Sequence, residues 1–498
     1  MTLDQAVTAL ESVKIKRLFN GWTFFTVITA LIISSPVLVV VAYVFVPSGE
    51  IWAHLADTVL PNYIFNTFVL LIGVGTGTLV IGTGCAWVVT MCKFPGQKVF
   101  EWALLLPLAV PAYVIAYTYT GLLDYAGPVQ ETLREIFGWS SRRDYWFPEV
   151  RTLWGAVTMF TLVLYPYVYM LSRAAFLEQS ICVLEVSRTL GRTPWQAFKD
   201  VAFPLARPAI AAGSALALME TLNDFGTVNF FAVDTFTTGI YRTWFGLGEP
   251  VAAAQLGACL LIFIVSLIAL ERYSRGQAAY HHTTVRYRAL RKLHISTFKQ
   301  ALCFAFCFFP VFLGFALPAG VLLNWTINTT QWWMNFNFLH LALNSFILAS
   351  VAAILAVVLA VLMAYGVRLK PSFLTKLGVR AASIGYAVPG SVLAVGIMLP
   401  FAWTDNLVDS WAREHLGFST GLILSGTIVA VVFAYIVRFL SVSYNAIEAG
   451  LGKITKNMDC AARTLGHGPG ETLQKVHLPL IRASMFSAGI LVFVDVMK

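Results

Sequence analysis

Charge is scarce in this chain. Asp, Glu, Lys and Arg make up 12% of its 498 residues, about half the share of a soluble domain. No CxxC pair occurs among the seven cysteines, which stand at 85, 92, 182, 259, 303, 307 and 460. Zinc-ribbon and cluster ligation are therefore excluded, and the cysteines read as small reduced hydrophobes with no metal site. The eight histidines form no paired metal motif and no Ser/His/Asp order, which argues against a membrane-bound enzyme; His281 and His282 sit in a basic segment and read as solvated. A nucleotide loop is lacking too. In "GLGKIT", residues 450–455, Lys453 is followed by Ile454, and the place five before Gly452 is Ile447, so the Gly-x4-Gly-Lys-Ser/Thr pattern fails at both ends.

What is present is oil. Hydrophobic residues make up 58% of the chain. Runs long enough to cross about 30 Å of hydrocarbon stand near 22–46, 64–92, 100–122, 153–176, 206–232 and 250–270, and again near 301–323, 338–366, 381–403, 420–437 and 480–498. In lipid every backbone group is paired internally, so such runs are helices. The first, 22–46, is too long for the core of a signal peptide and reads as an uncleaved span. The formal net charge of +9 collects in alternate loops rather than on a nucleic-acid-binding face. Lys14, Lys16 and Arg17 precede the first span; Lys93 and Lys98, Arg188 and Lys199, the segment 271–300, Arg368 to Arg380, and Arg438 to Lys475 follow later ones. By the positive-inside rule these loops and the N-terminus are cytoplasmic.

A polar paragraph occurs twice. Residues 185–205 read "EVSRTLGRTPWQAFKDVAFPL" and residues 460–480 read "CAARTLGHGPGETLQKVHLPL". One offset of 275 relates Gly191 to Gly466, Pro194 to Pro469 and Pro204 to Pro479. Upstream, "NTF" at 66–68 recurs as "NSF" at 344–346, and "AVP" at 109–111 as "AVP" at 387–389, both at 278. The expected fold class is an all-α membrane protein of two parallel repeats of about six transmembrane helices, with a pathway between them. The expected divisions are 1–271, a basic linker 272–300, and 301–498, with the polar loops at 177–204 and 450–479. Lys498 aligns with Asn223, so the second repeat is about one helix short and a twelve-span protein is expected.

Each paragraph predicts helix, Gly turn, short helix, Pro, then a span. Gly191 and Gly466 suit a left-handed stop. Thr193, Pro194 and Gln196 form a capping box, with Gly468, Pro469 and Glu471 in the same places. The helix is expected to break at Pro204. Phe198 with Val201, and Leu473 with Val476, lie one turn apart and give each short helix an apolar ridge. Two such ridges on one side fit two plugs for grooves on a two-fold soluble partner; the alternative is an amphipathic helix on the membrane surface.

Glu185-Val-Ser, Gly191 three residues on, then Val201-Ala-Phe-Pro204 after nine more, resembles the EAA motif (EAA-x3-G-x9-I-x-LP) of binding-protein-dependent ABC importer permeases. The second copy fits from Ala461 and Ala462 through Gly466 to Val476-His-Leu-Pro479, but Cys460 stands where Glu is expected. The resemblance covers the whole chain as a fused, two-copy permease; the stretch 219–244 is most similar to ferric-iron-type permeases. It implies a permease subunit, not an enzyme, in a bacterial inner membrane. It implies that the chain binds no cofactor itself, that two copies of an ATP-binding subunit hold the ATP and dock on the cytoplasmic coupling helices, and that a periplasmic or lipid-anchored substrate-binding protein works outside. Thiamine, phosphonate or sulfate/molybdate permeases are the same-class alternatives. An ion-driven secondary transporter also uses two parallel repeats, but has no partner that needs two identical plugs.

Within the fifth run, Glu220, Asn223 and Asp224 share one helix face. Acids at mid-membrane cost about 2.5 to 3.5 kcal/mol each on insertion scales, so they are expected to face the bundle interior. They read either as packing acids or as a cation-friendly lining of the path. Asp495 falls at the place of Glu220 in the second copy and favours the lining.

Overall fold

The computed structural model describes residues 21–178, 191, 193–275, 293–328 and 336–497. Among these, ten helices are long and apolar enough to cross a bilayer. We number them α1 (Gly21–Tyr43), α2 (Leu60–Met91), α3 (Leu153–Leu177), α4 (Trp195–Asn223), α5 (Pro250–Ser274), α6 (Thr297–Asn328), α7 (Phe338–Leu369), α8 (Gly390–Leu416), α9 (Ile428–Gly452) and α10 (Pro469–Met497). A further apolar pair, Gln97–Ala109 and Ala112–Phe137, meets at 89° and is either a broken span or a re-entrant loop. The only strand pairing among the described residues is a two-residue parallel bridge, Cys92–Lys93 (β1) with Leu293–His294 (β2).

The repeated "AVP" turns out to be a helix break, and this moves two expected spans. In each copy a 3-10 turn, Leu106–Ala109 or Ile384–Ala387, runs into an extended Val, and a new helix starts after the Pro. Val110 has φ −104° and ψ 124°, and Val388 has φ −85° and ψ 130°. A residue before Pro is pushed out of the helical region by the ring, and Pro itself offers no N–H to continue the ladder. Hence the run 100–122 is two helices, and the run 381–403 yields a span that starts only at Gly390. The expected span 420–437 is also displaced: α9 is Ile428–Gly452. Arg438, read from sequence as a loop charge, is therefore inside a span.

The opposite correction applies at Pro204. The chain does not break there. Trp195–Asn223 is one helix, and so is Pro469–Met497. The reason lies two residues upstream of each Pro. Phe198–Ala202 and Leu473–His477 are π-helical turns, closed by Phe203 N–H to the Phe198 carbonyl and Leu478 N–H to the Leu473 carbonyl. The wider turn moves the carbonyl that the Pro ring would strike, and no donor is missed. Phe312–Ala316 ahead of Pro318 repeats the device inside α6.

The chain divides into two compact units that do not follow the sequence repeats. One holds Met1–Pro47, Gly248–Ala258 and Trp332–Lys498; the other holds Ser48–Leu247 and Cys259–Gln331. The first span of each repeat thus belongs with the bulk of the other repeat. In the first unit α1 packs on α7, α8 and the helix Phe373–Ser383. There α7 also packs on α9 and α10, and on α7 Ala349, Ala352, Ala353, Ala356 and Ala360 are all buried. Small residues at helical spacing let backbones approach where apolar burial gives no preference over lipid. The second unit applies the same rule with glycine. On α2 a Cβ at Gly77 would lie 2.6 Å from Thr161 on α3, and one at Gly73 2.8 Å from Val157. Tyr165, Val168, Tyr169 and Phe176 of α3 fill the core at one end of that pair, with Ile115, Phe160 and Phe231 at the other.

Candidate functional site

The repeated paragraph is built as the sequence indicates up to its short helix. Gly191 has φ +78° and Gly466 has φ +85°, the left-handed region that glycine enters without a Cβ penalty. At the second turn Gly466 N–H donates to the Arg463 carbonyl at 3.0 Å, and His467 N–H to the Ala462 carbonyl at 3.0 Å. Neither glycine has a neighbour within 4 Å of where a Cβ would stand, so the requirement is conformational and not one of space. In the first copy Thr193 N–H donates to Gln196 Oε1 at 2.9 Å, and Gln196 N–H donates to Thr193 Oγ1 at 3.3 Å. This reciprocal cap contributes about 1 kcal/mol. Glu185 lies outside the described residues. Pro194 and Pro469 each occupy the first helical position.

The apolar ridge does not face outward as a plug. Phe198 packs into its own unit, with ring centroids 4.8 Å from Trp87, 5.8 Å from Phe203 and 6.4 Å from Phe176. Val201 joins the same core. In the second copy Leu473 is buried and Val476 half-buried. The ridge fastens the short helix to the protein that carries it. The outward faces are formed by Trp195, Gln196 and Lys199 in one copy and Gly470, Glu471, Gln474 and Lys475 in the other. Any partner therefore meets an aromatic and polar face, with Trp195 itself 68% exposed.

Sequence reasoning missed how the second paragraph is anchored. Asp459, on the helix Lys456–Thr464, receives Arg368 of α7 through Nε at 3.1 Å and through a terminal nitrogen at 3.0 Å. Its other oxygen accepts from His477 Nε2 at 2.6 Å. Arg368 also donates to the Leu451 carbonyl at 2.7 Å and the Ile454 carbonyl at 2.8 Å, closing the end of α9. The Tyr365 hydroxyl, one turn back on α7, donates to the Pro469 carbonyl at 2.6 Å, and its ring meets His477 edge-on at 5.3 Å. The side chain of His477 is 1% exposed, and its Nδ1 has no partner. Asp459 thus fixes the tautomer that carries its hydrogen on Nε2. The Asp459 carboxylate is committed to Arg368 and His477, while Cys460, which stands where the motif has Glu, is exposed. Arg368 had the look of one more loop charge, and His477 falls at a free position of the motif. Their only signal was a His inside an otherwise apolar "VHLPL".

The intramembrane acids separate. Asp224 follows the last residue of α4 and caps the short helix Gly226–Phe230. It accepts from Thr227 N–H at 2.8 Å, Thr227 Oγ1 at 2.9 Å and Val228 N–H at 3.3 Å. Its carboxylate is committed to that turn, which is the packing alternative. Asn223 keeps a buried Oδ1 without a partner, and Glu220 is half-buried. Asp495 is exposed on α10, in the other unit. No group of three or more His, Cys, Asp or Glu among the described residues is placed to hold a metal.

A bundle of apolar helices, broken at paired prolines and carrying two anchored Gly–Pro helices, defines a multi-pass membrane protein. Residues 78–280 match the family of binding-protein-dependent transport system inner membrane components. The chain is 27% identical to the Fe(3+)-transport system permease protein FbpB 2 of Haemophilus influenzae, over 87% of this chain and 78% of that protein. It is 26% identical to the ferric transport system permease protein FbpB of Actinobacillus pleuropneumoniae, over 80% of this chain and 57% of that protein. The molybdenum transport system permease protein ModB of Escherichia coli is 27% identical over 39% of this chain and 82% of its own length.

Proposed function

We propose that this chain is the transmembrane subunit of an ATP-driven importer, and that it carries ferric iron handed over by a substrate-binding protein outside the membrane. Two ATP-binding subunits dock from the cytoplasm, one on each short helix, Trp195 to Lys199 and Gly470 to Lys475. The basic loops and the N-terminus lie on that side. ATP stays on the partner subunits. The observation that carries the reading is the doubled device of a left-handed glycine, a short exposed helix, and a π-turn that lets this helix continue past Pro into a span. A push on such a helix reaches the membrane without an intervening hinge. Iron is supported by the two ferric relatives, which align over most of the chain. Glu220 and Asn223 are the candidates for the lining of the path.

Reconstitution tests this. The chain in proteoliposomes with its ATP-binding subunit and binding protein should accumulate labelled ferric iron only when ATP is supplied. Accumulation driven by an ion gradient, with no ATP and no ATP-binding subunit, would instead make it a secondary transporter.

A further inference from the structure

Arg438 is a charge in an unexpected place. It is the eleventh of 25 residues in α9, about 15 Å from the helix start at 1.5 Å per residue, and so near the middle of the span. An arginine at that depth is costly and marks a function by default. Among the described residues it makes no ion pair or hydrogen bond, and its Nε is buried without a partner. Its guanidinium makes a loose approach to the Phe439 ring, 5.6 Å from the centroid. The offset of 275 puts Val163 at this position in the first repeat, buried at 1% exposure. The charge belongs to the second repeat alone.

The guanidinium sits over the start of α8. A Cβ on Gly390, the first residue of that helix, would lie 3.4 Å from a terminal nitrogen of Arg438. The first bond within α8 runs from Leu393 N–H to the Pro389 carbonyl, so the N–H groups of Gly390, Ser391 and Val392 have no partner in the helix. The Ser391 hydroxyl is buried and unpartnered as well. A fixed positive charge stands at the positive end of a 27-residue helix, beside a glycine that leaves the backbone bare and lies one residue before an unpartnered hydroxyl. Each of these donates hydrogen bonds or favours negative charge.

We propose that Arg438, Ser391 and the N-terminus of α8 form an oxyanion-binding site at mid-membrane depth, and that the transported species presents an oxyanion there. The oxyanion is either free or bound to the metal as a ligand. A bare ferric ion would be repelled by this charge; a ferric ion carried with phosphate-like or carboxylate ligands offers the acceptor oxygens the site needs. The transport side of this proposal rests on the permease reading above; the binding side does not.

Two measurements test it. In the first, the full chain in lipid nanodiscs is titrated with inorganic phosphate, and its unfolding temperature is followed. Wild type should be stabilised by phosphate. Arg438→Gln should weaken the apparent affinity about tenfold or more, Ser391→Ala several-fold, and Arg438→Lys should retain most of it. In the second, the complete transporter is given labelled phosphate with and without ferric iron. Phosphate that enters alone identifies a free oxyanion; phosphate that enters only with iron identifies a ligand borne by the metal. Either result, if lost in Arg438→Gln, supports the site. Equal phosphate affinity in wild type, Arg438→Gln and Ser391→Ala, or unchanged uptake in Arg438→Gln, overturns it. Absence of ATP-driven uptake by wild type would instead sink the permease reading and leave the binding result standing.

Discussion

Replacing Asp459 by Asn should loosen the second short helix more than any other single isosteric change in that half. The carboxylate holds three elements together: Arg368 on α7, its own helix Lys456–Thr464, and His477 at the root of α10. The Arg368 and Asp459 side chains are only 16% and 20% exposed, so water replaces little of what is lost. Breaking a buried pair by removing one charge costs about 3 to 5 kcal/mol, because the other charge stays behind. Arg368 keeps its carbonyl acceptors at Leu451 and Ile454, which puts the expected cost near the lower figure. About 3 kcal/mol is roughly 6 to 12 °C in unfolding temperature for a cooperative unit of about 150 to 250 residues. Thermal unfolding in detergent gives the first reading. Substrate moved per ATP hydrolysed in the reconstituted transporter gives the second, and it should fall several-fold while ATP hydrolysis persists. His477→Leu should behave alike, and His477→Gln should recover most of the loss, since the amide still donates to Asp459. An Asp459→Asn chain with wild-type unfolding temperature and wild-type coupling would refute the argument.

Three further outcomes follow from the geometry. The double substitution Gly191→Val, Gly466→Val forces a β-branched residue to a φ near +80°, and should sharply reduce ATP-driven uptake with membrane insertion intact; normal uptake would remove the docking role. Gly77→Val sets a side chain 2.6 Å from Thr161 across the α2–α3 contact, and should destabilise by about 1 to 3 kcal/mol or prevent folding, read as a lower unfolding temperature or a lost yield of membrane-integrated protein. Glu220→Gln should slow uptake if Glu220 lines the path. Asp224→Ala should lower the unfolding temperature by removing a helix cap worth about 1 kcal/mol while uptake stays near normal; the reverse pairing of effects would restore Asp224 to the path.

Much of this was legible because lipid simplifies the reading. A run of twenty apolar residues in hydrocarbon has one backbone solution, so most of the spans emerge from composition alone. The offset between Gly191 and Gly466 announced a doubled device, and both residues adopt the conformation that only glycine takes cheaply. What failed was local backbone physics inside apolar sequence. The run 100–122 carries no charged residue after Glu101, yet it bends by 89° at Val110–Pro111. Pro204 is the mirror case: proline suggested a break, and the π-turn at Phe198–Ala202 absorbed it. Hydrophobicity reports where a chain is at home in lipid, and says little about where its hydrogen-bond ladder stops.

The polar contacts were hidden for a different reason. Arg368, Asp459 and His477 are separated by 91 and 18 positions, and no periodicity links them. The two offsets that reveal the repeat, 275 for His477 and 278 for Tyr365, also show why they matter. His477 corresponds to Ala202, which is fully buried, and Tyr365 to Trp87, which packs on Phe198. One half therefore grips its short helix with tilted and edge-on aromatic rings and the other with an arginine, a carboxylate and a histidine. Rings tolerate sliding, because a dispersion contact weakens gradually as surfaces shift. A chain of charge-assisted hydrogen bonds holds one geometry until it parts. Two partners that deliver the same stroke would then meet a compliant joint on one side and a stiff one on the other. Arg438 stands on the stiff side, in the half where Val163 has no charge to offer, so the half whose short helix is held more rigidly also carries the candidate ligand site.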